Sequence, residues 1–185
     1  MPEIPFPDPP LSDGPVALRP LTDDDAEAVT AACQDPEIPR WTAIPSPYRA
    51  ADARAYLRRA DRDRRTGREL LLAIVDPETD ELLGSCGLAR LDWEDRKAEV
   101  GYWVAAGARR RGVGTRAVRL LSRWALDQLA LDRIELLVNP ENEPSQRLAA
   151  RAGFTREGLL RAYRRRKGQR EDLVMFSLLP RDVAT

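Results

Sequence analysis

Apolar and polar positions alternate with a changing period along this chain. Val16–Leu21 reads as a strand, and Thr22 followed by Asp23, Asp24 and Asp25 opens a helix running to about Cys33. Pro36, Pro39, Pro45 and Pro47 predict a loop, and a helix from Ala50 to Thr66 stops at Gly67. Leu70–Asp76 and Leu82–Asp92 flank the turn Pro77–Asp80 as a hairpin, with Ala98–Ala105 as the next strand. Thr115–Leu131 is helical, with Val118, Leu121, Ala125 and Leu129 on one face and Trp124 widening it. Arg133–Val138 is a strand, Ser145–Ala152 a helix ended by Gly153, and Phe154–Leu160 and Asp172–Leu178 are strands. With no internal repeat or interior linker, this order predicts a single-domain mixed α/β fold.

Five prolines among the first ten residues make 1–14 an extended arm outside the core, before a domain over 15–180 and a tail over 181–185. At 185 residues, 43% hydrophobic and 32% charged, the chain is long and apolar enough for one core. Its longest unbroken apolar run, Leu70–Val75, is far below the ~20 residues of a membrane span. The N-terminus lacks the basic start and apolar centre of a signal peptide. These features, with only Cys33 and Cys86 as cysteines, predict a cytoplasmic protein without a disulfide framework.

The chain has no histidine, which excludes Ser-His-Asp and Cys-His catalysis and histidine-ligated metal sites; no metal is expected. Neither lysine, Lys97 or Lys167, lies in a P-loop. The 30 basic and 30 acidic residues balance but are unevenly placed. Residues 1–37 carry nine acids against Arg19, whereas 109–123 carry six arginines and no acid. Residues 156–170 hold six arginines and Lys167 against Glu157.

The first arginine-rich stretch falls between a strand and a helix. Arg109-Arg110-Arg111-Gly112-Val113-Gly114-Thr115 combines glycines that admit close backbone approach, unpaired N–H groups at a helix start and full positive charges. Together these predict a pyrophosphate site. Gly112-Val-Gly114-Thr-Arg-Ala117 also satisfies a dinucleotide fingerprint, with Glu135 about twenty residues on. That fingerprint should start at a strand end and open its domain, and here it does neither.

Arg109-x-x-Gly112-x-Gly114 resembles the acyl-CoA loop, [QR]-x-x-G-x-[GA], of the GCN5-related N-acetyltransferases (GNAT). Arg133–Val138, Asn142-x-x-Ser145 and the helix ending in Gly153-Phe154 are similar to the strand, turn and helix that come after that loop in the family. The run from Trp41-Thr42 to the Gly168 region resembles the RimJ/RimL branch, which acetylates ribosomal-protein N-termini. The resemblance covers about 14–180. It implies a mostly antiparallel central sheet splayed into a V, flanked by about four helices, with acetyl-CoA in the gap. Succinyl-CoA is a second donor compatible with the arginines.

By position, the resemblance implies that the backbone from Arg110 to Thr115 holds the pyrophosphate, with Arg109 and Arg111 reaching phosphates. Tyr102, Trp103 and Val104 would pair with pantetheine amides, Asn142 would bond the pantetheine arm, and Arg147 would approach the adenosine phosphate. Trp41 is placed on the acceptor side. Ser145 is assigned as donor to the leaving sulfur, because the tyrosine some relatives use falls at Ala149. Glu99 is assigned as general base, with Glu135 or a water chain as alternatives. The acceptor is a primary amine: a peptide or protein N-terminus, a ribosomal protein included, or a small molecule. A homodimer is compatible with this reading.

Two other functions fit parts of the sequence. One is an acyl-CoA sensor without turnover. The other is an RNA-binding module using 156–170, although Tyr163 is the only aromatic there to stack a base. No direct nucleic-acid role and no membrane partner is expected.

Overall fold

The computed structural model describes residues 2–183. Eight strands form one sheet: β1 (Leu11–Asp13), β2 (Val16–Pro20), β3 (Leu70–Val75), β4 (Leu82–Asp92), β5 (Lys97–Val104), β6 (Arg133–Val138), β7 (Thr155–Arg166) and β8 (Gln169–Leu178). Their order is β1-β2-β3-β4-β5-β6-β8-β7, and every pairing is antiparallel except β5–β6. Among the described residues the helices are α1 (Ala26–Ala32), α2 (Glu37–Trp41), α3 (Ala50–Arg65), α4 (Val113–Gln128), α5 (Glu143–Arg151) and α6 (Pro180–Val183). Four of them reach seven residues, matching the helix number expected from the sequence.

The parallel pair matters most for function. β5 and β6 share only the register Lys97–Glu99 against Arg133–Glu135. Beyond it β5 continues against β4 while β6 continues against β8, so the two strands part and Gly101–Val104 keeps one open edge. The splay is the V expected from the sequence. The amphipathic α4 fills one face of the sheet, burying Ala117, Val118, Leu121 and Trp124 against Leu88, Val100 and Ile134. On the other face Val29, Cys33, Ile38, Tyr48 and Ala53 surround Trp103. Cys33 and Cys86 are free and buried, and burial pushes the Cys33 thiol up to about 12 and that of Cys86 higher.

Four expectations need correction. The N-terminal arm is extended, but it is not outside the core: Ile4 is fully buried, and Arg64 donates to its carbonyl and stacks over Phe6 at 4.3 Å. The arm also supplies β1, whose Asp13 accepts from Arg116 on α4 at 2.7 Å. The proline-rich loop contains the five-residue α2, because Pro36 caps it and Pro39 lies in its first turn, where a missing N–H costs no bond. The last two strands reach Arg166 and back from Gln169, since their arginines alternate between the sheet faces rather than ending the ladder. Part of the expected tail forms α6, with Val183 against the core; Ala184 and Thr185 lie outside the described residues.

The buried arm makes a stability prediction. Ile4→Ala should lower unfolding free energy by about 2–4 kcal/mol, as large-to-small core changes do. Urea denaturation checks it, and a loss below about 0.5 kcal/mol would return the arm to a surface role.

Candidate active site

The loop from β5 to α4 sets the first half of the site. Arg110 and Gly112 both have positive φ (63° and 79°), and Gly112 is the N-cap of α4. This conformation turns the backbone N–H groups outward. From Arg110 to Thr115, none of the six donates to a carbonyl or side chain among the described residues. The dipole of the sixteen-residue α4 adds to them, and Arg110 and Arg111 have no ion-pair partners among the described residues. Gly114 lies where a Cβ would come within 2.8 Å of Leu148 on α5. The geometry suits a diphosphate.

Arg109 does not face that loop. Its Nε donates to the Val104 carbonyl at 3.0 Å and its Nη2 lies 2.5 Å from Asp35, so it braces β5 to the segment before α2. This corrects its expected role as a phosphate ligand. Arg147 is exposed and pairs with Glu143 at 3.0 Å along α5.

The second half lies in the gap between β5 and β6. The Tyr102 hydroxyl donates to Ser145 Oγ at 2.9 Å, joining the open edge of β5 to the first turn of α5. Burial raises the Tyr102 pKa above its usual value, partly offset by the bond to Ser145, so the phenol remains a proton donor at neutral pH. Asn142 caps α5 by accepting from the Ser145 N–H at 3.2 Å, which fixes the serine and leaves the Asn142 amide N–H₂ without a partner among the described residues. The sequence points only to the backbone of Tyr102. Strand alternation is the signal that could have found its side chain, since 100, 102 and 104 share the face covered by α4 and α5.

Glu99 lies on the opposite face, with Gly101 and Trp103. Both of its oxygens accept from Arg164 Nη2 (2.8 and 2.6 Å), and Arg90 Nε lies 3.1 Å away. The structure therefore gives it an ion-pair role rather than an open carboxylate facing an amine. Glu135 is likewise held by Arg133 at 2.8 Å. The arginine-rich hairpin β7–β8 closes over this face: Arg166 and Lys167 donate to the carbonyls of Arg40 and Pro39 at 2.8 and 2.5 Å. Beneath the hairpin is a cleft of about 390 Å³ lined by Trp41, Leu137 and several arginines. Trp41, expected on the acceptor side, is thus one of its walls. No group of three or more potential metal ligands occurs among the described residues.

The model of the acetyltransferase (GNAT) domain matches residues 16–155. N-acetyltransferase p20 of Bacillus licheniformis is 34% identical over 169 residues, 91% of this chain and 95% of that protein. The ribosomal-protein-serine acetyltransferase of Escherichia coli is 29% identical over 82 residues, 44% of this chain and 46% of that protein. The structure of Mycobacterium smegmatis RimJ in complex with CoA-disulfide superposes with a TM-score of 0.84 at 26% identity, covering 95% of this chain and 88% of that one.

Proposed function

The chain belongs to the GNAT family of acetyl-CoA-dependent N-acetyltransferases, and on that premise we propose that its acceptor is an α-amine, at a peptide or protein N-terminus, rather than a lysine side chain. One observation carries this reading: each carboxylate at the acceptor face is already engaged. Glu99 is held by Arg90 and Arg164, Glu135 by Arg133, and Glu171 by Arg166. An incoming ammonium therefore meets no open base and must lose its proton to water. At pH 7 that costs about 1.4 kcal/mol for an α-amine (pKa ~8) but about 4.6 for a lysine (pKa ~10.4). The likeness to the ribosomal-protein-serine acetyltransferase of Escherichia coli supports a protein acceptor.

Acetyl-CoA supplies the thioester. The six N–H groups from Arg110 to Thr115 hold its diphosphate, and the open edge of Gly101–Val104 pairs with the pantetheine amides. The backbone N–H of Val104 donates to the carbonyl oxygen as it turns anionic. Ser145 donates a proton to the departing sulfur and recovers one from Tyr102, and the proton shed by the acylated amine returns to Tyr102 through water. The burial of Cys33 and Cys86, which raises both thiol pKa values, supports direct attack by the amine as the route of acyl transfer.

Thiol release from acetyl-CoA, measured with matched peptides, tests the acceptor. A peptide with a free α-amine and no lysine should turn over about 100-fold faster at pH 7 than an N-terminally blocked peptide with one lysine. Equal rates would overturn the α-amine reading, and no release with any amine would favour an acyl-CoA sensor.

A further inference from the structure

The acceptor cleft has a charge character that the transfer reaction does not require. Its walls carry five cationic side chains, Arg90, Arg164, Arg165, Arg166 and Lys167, against the single carboxylate Glu171. Glu171 is spent on Arg166, whose Nε donates to both its oxygens at 2.9 Å. Glu99, below the cleft, is shared by Arg90 and Arg164. Three positive charges remain unmatched after these two carboxylates. Lys167 meets only the Pro39 carbonyl, and Arg165 has no side-chain hydrogen bond or ion pair among the described residues. The buried Nε of Arg164 is a donor without an acceptor. Such an excess, held on a hairpin clamped to α2, disfavours an ammonium and favours an anion.

We infer that the acceptor is an anionic amine: one whose primary amino group is accompanied, within a residue or two, by a carboxylate or phosphate held by Arg165, Lys167 and Arg164. This rests on the reading above that every carboxylate at the acceptor face is engaged, and it specifies the anion that the acceptor carries beside its amine. Guanidinium groups suit both anions because their planar donor forks match two oxygens at once. The same field assists the chemistry, because cations near the amine favour its neutral, attacking form. The cleft volume of about 390 Å³ fits a terminal dipeptide or a small phosphorylated amine. Those are two sources of one chemistry.

Steady-state thiol release with four acceptors separates the possibilities: a Ser-Glu-Glu peptide, its Ser-Gln-Gln counterpart, phosphoethanolamine and ethanolamine. The acidic peptide should exceed the amide peptide in kcat/KM by about tenfold or more, through KM, with the ratio shrinking as salt screens the field. In Arg165→Glu the ratio should fall to one or below. Arg165 is unpaired among the described residues, so an unchanged melting temperature and acetyl-CoA shift would show that the fold and donor site persist. A preference confined to phosphoethanolamine over ethanolamine supports the anionic amine and overturns the peptide acceptor. Equal rates within both pairs overturn the inference while leaving the α-amine reading intact. A charge preference that survives Arg165→Glu also overturns it. Acetylation of none of the four acceptors overturns both.

Discussion

Gly112→Glu is expected to abolish stabilisation by acetyl-CoA. With donor at 100 times its dissociation constant, the native protein gains about 2.7 kcal/mol, a rise of about 5–10 °C in melting temperature for a domain of this size. The variant should move by less than about 1 °C. Two causes combine. The backbone at Gly112 is left-handed (φ 79°), where a Cβ costs about 1–2 kcal/mol. The larger cause is charge, since a carboxylate there competes for the six outward N–H groups and repels the diphosphate. Sterics contribute little, because a Cβ at Gly112 meets only Arg116 Nε, at 3.9 Å. Gly112→Ala separates the causes: it keeps the strain without the charge and should weaken binding by about tenfold. A full shift in Gly112→Glu would remove the loop from the donor site.

Legibility in the sequence tracks the strength of local signals. Arg133–Val138 is readable to the residue, because a short β-branched and leucine run is bounded by Asp132 and Asn139. The α4 loop is readable because Arg109, Gly112 and Gly114 have fixed spacing and fixed backbone demands. Other features depend on tertiary partners that no local pattern encodes. Ile4 packs into the main core, where Arg64, sixty residues away, bonds both its N–H and its carbonyl. Arg109 matches the loop motif in sequence, yet Asp35 draws its guanidinium to the other side of β5. Glu99 alternates onto the cleft face as expected, but the arginines that bind it come from the β4 bulge and from β7. Long charged side chains find partners across the fold, so sequence neighbours say little about which of them stay available for chemistry.

Ser145→Ala is expected to lower kcat by about 10–100-fold at pH 7 while leaving acetyl-CoA binding within a few-fold of native, because a positioned proton donor contributes about that much or more. The side chain is removed without disturbing the cap, since Asn142 accepts from the Ser145 backbone N–H rather than its hydroxyl. Tyr102→Phe should lower kcat less, because Ser145 can still donate its own proton and recover one from water. The two hydroxyls are joined at 2.9 Å and act in series, so the double variant should be no slower than Ser145→Ala alone. Additive losses would mean that they serve separate steps. The pH profile distinguishes proton donation from a packing role. An ordinary thiol has a pKa of about 8.5, so above that pH the departing thiolate is stable without a proton and the donor loses its purpose. The Ser145→Ala defect should therefore shrink as pH rises from 7 to 9.5, whereas the native Tyr102, its pKa raised by burial, remains protonated over most of that range. A defect that stays constant over the same interval would assign Ser145 to holding α5 in place rather than to the sulfur.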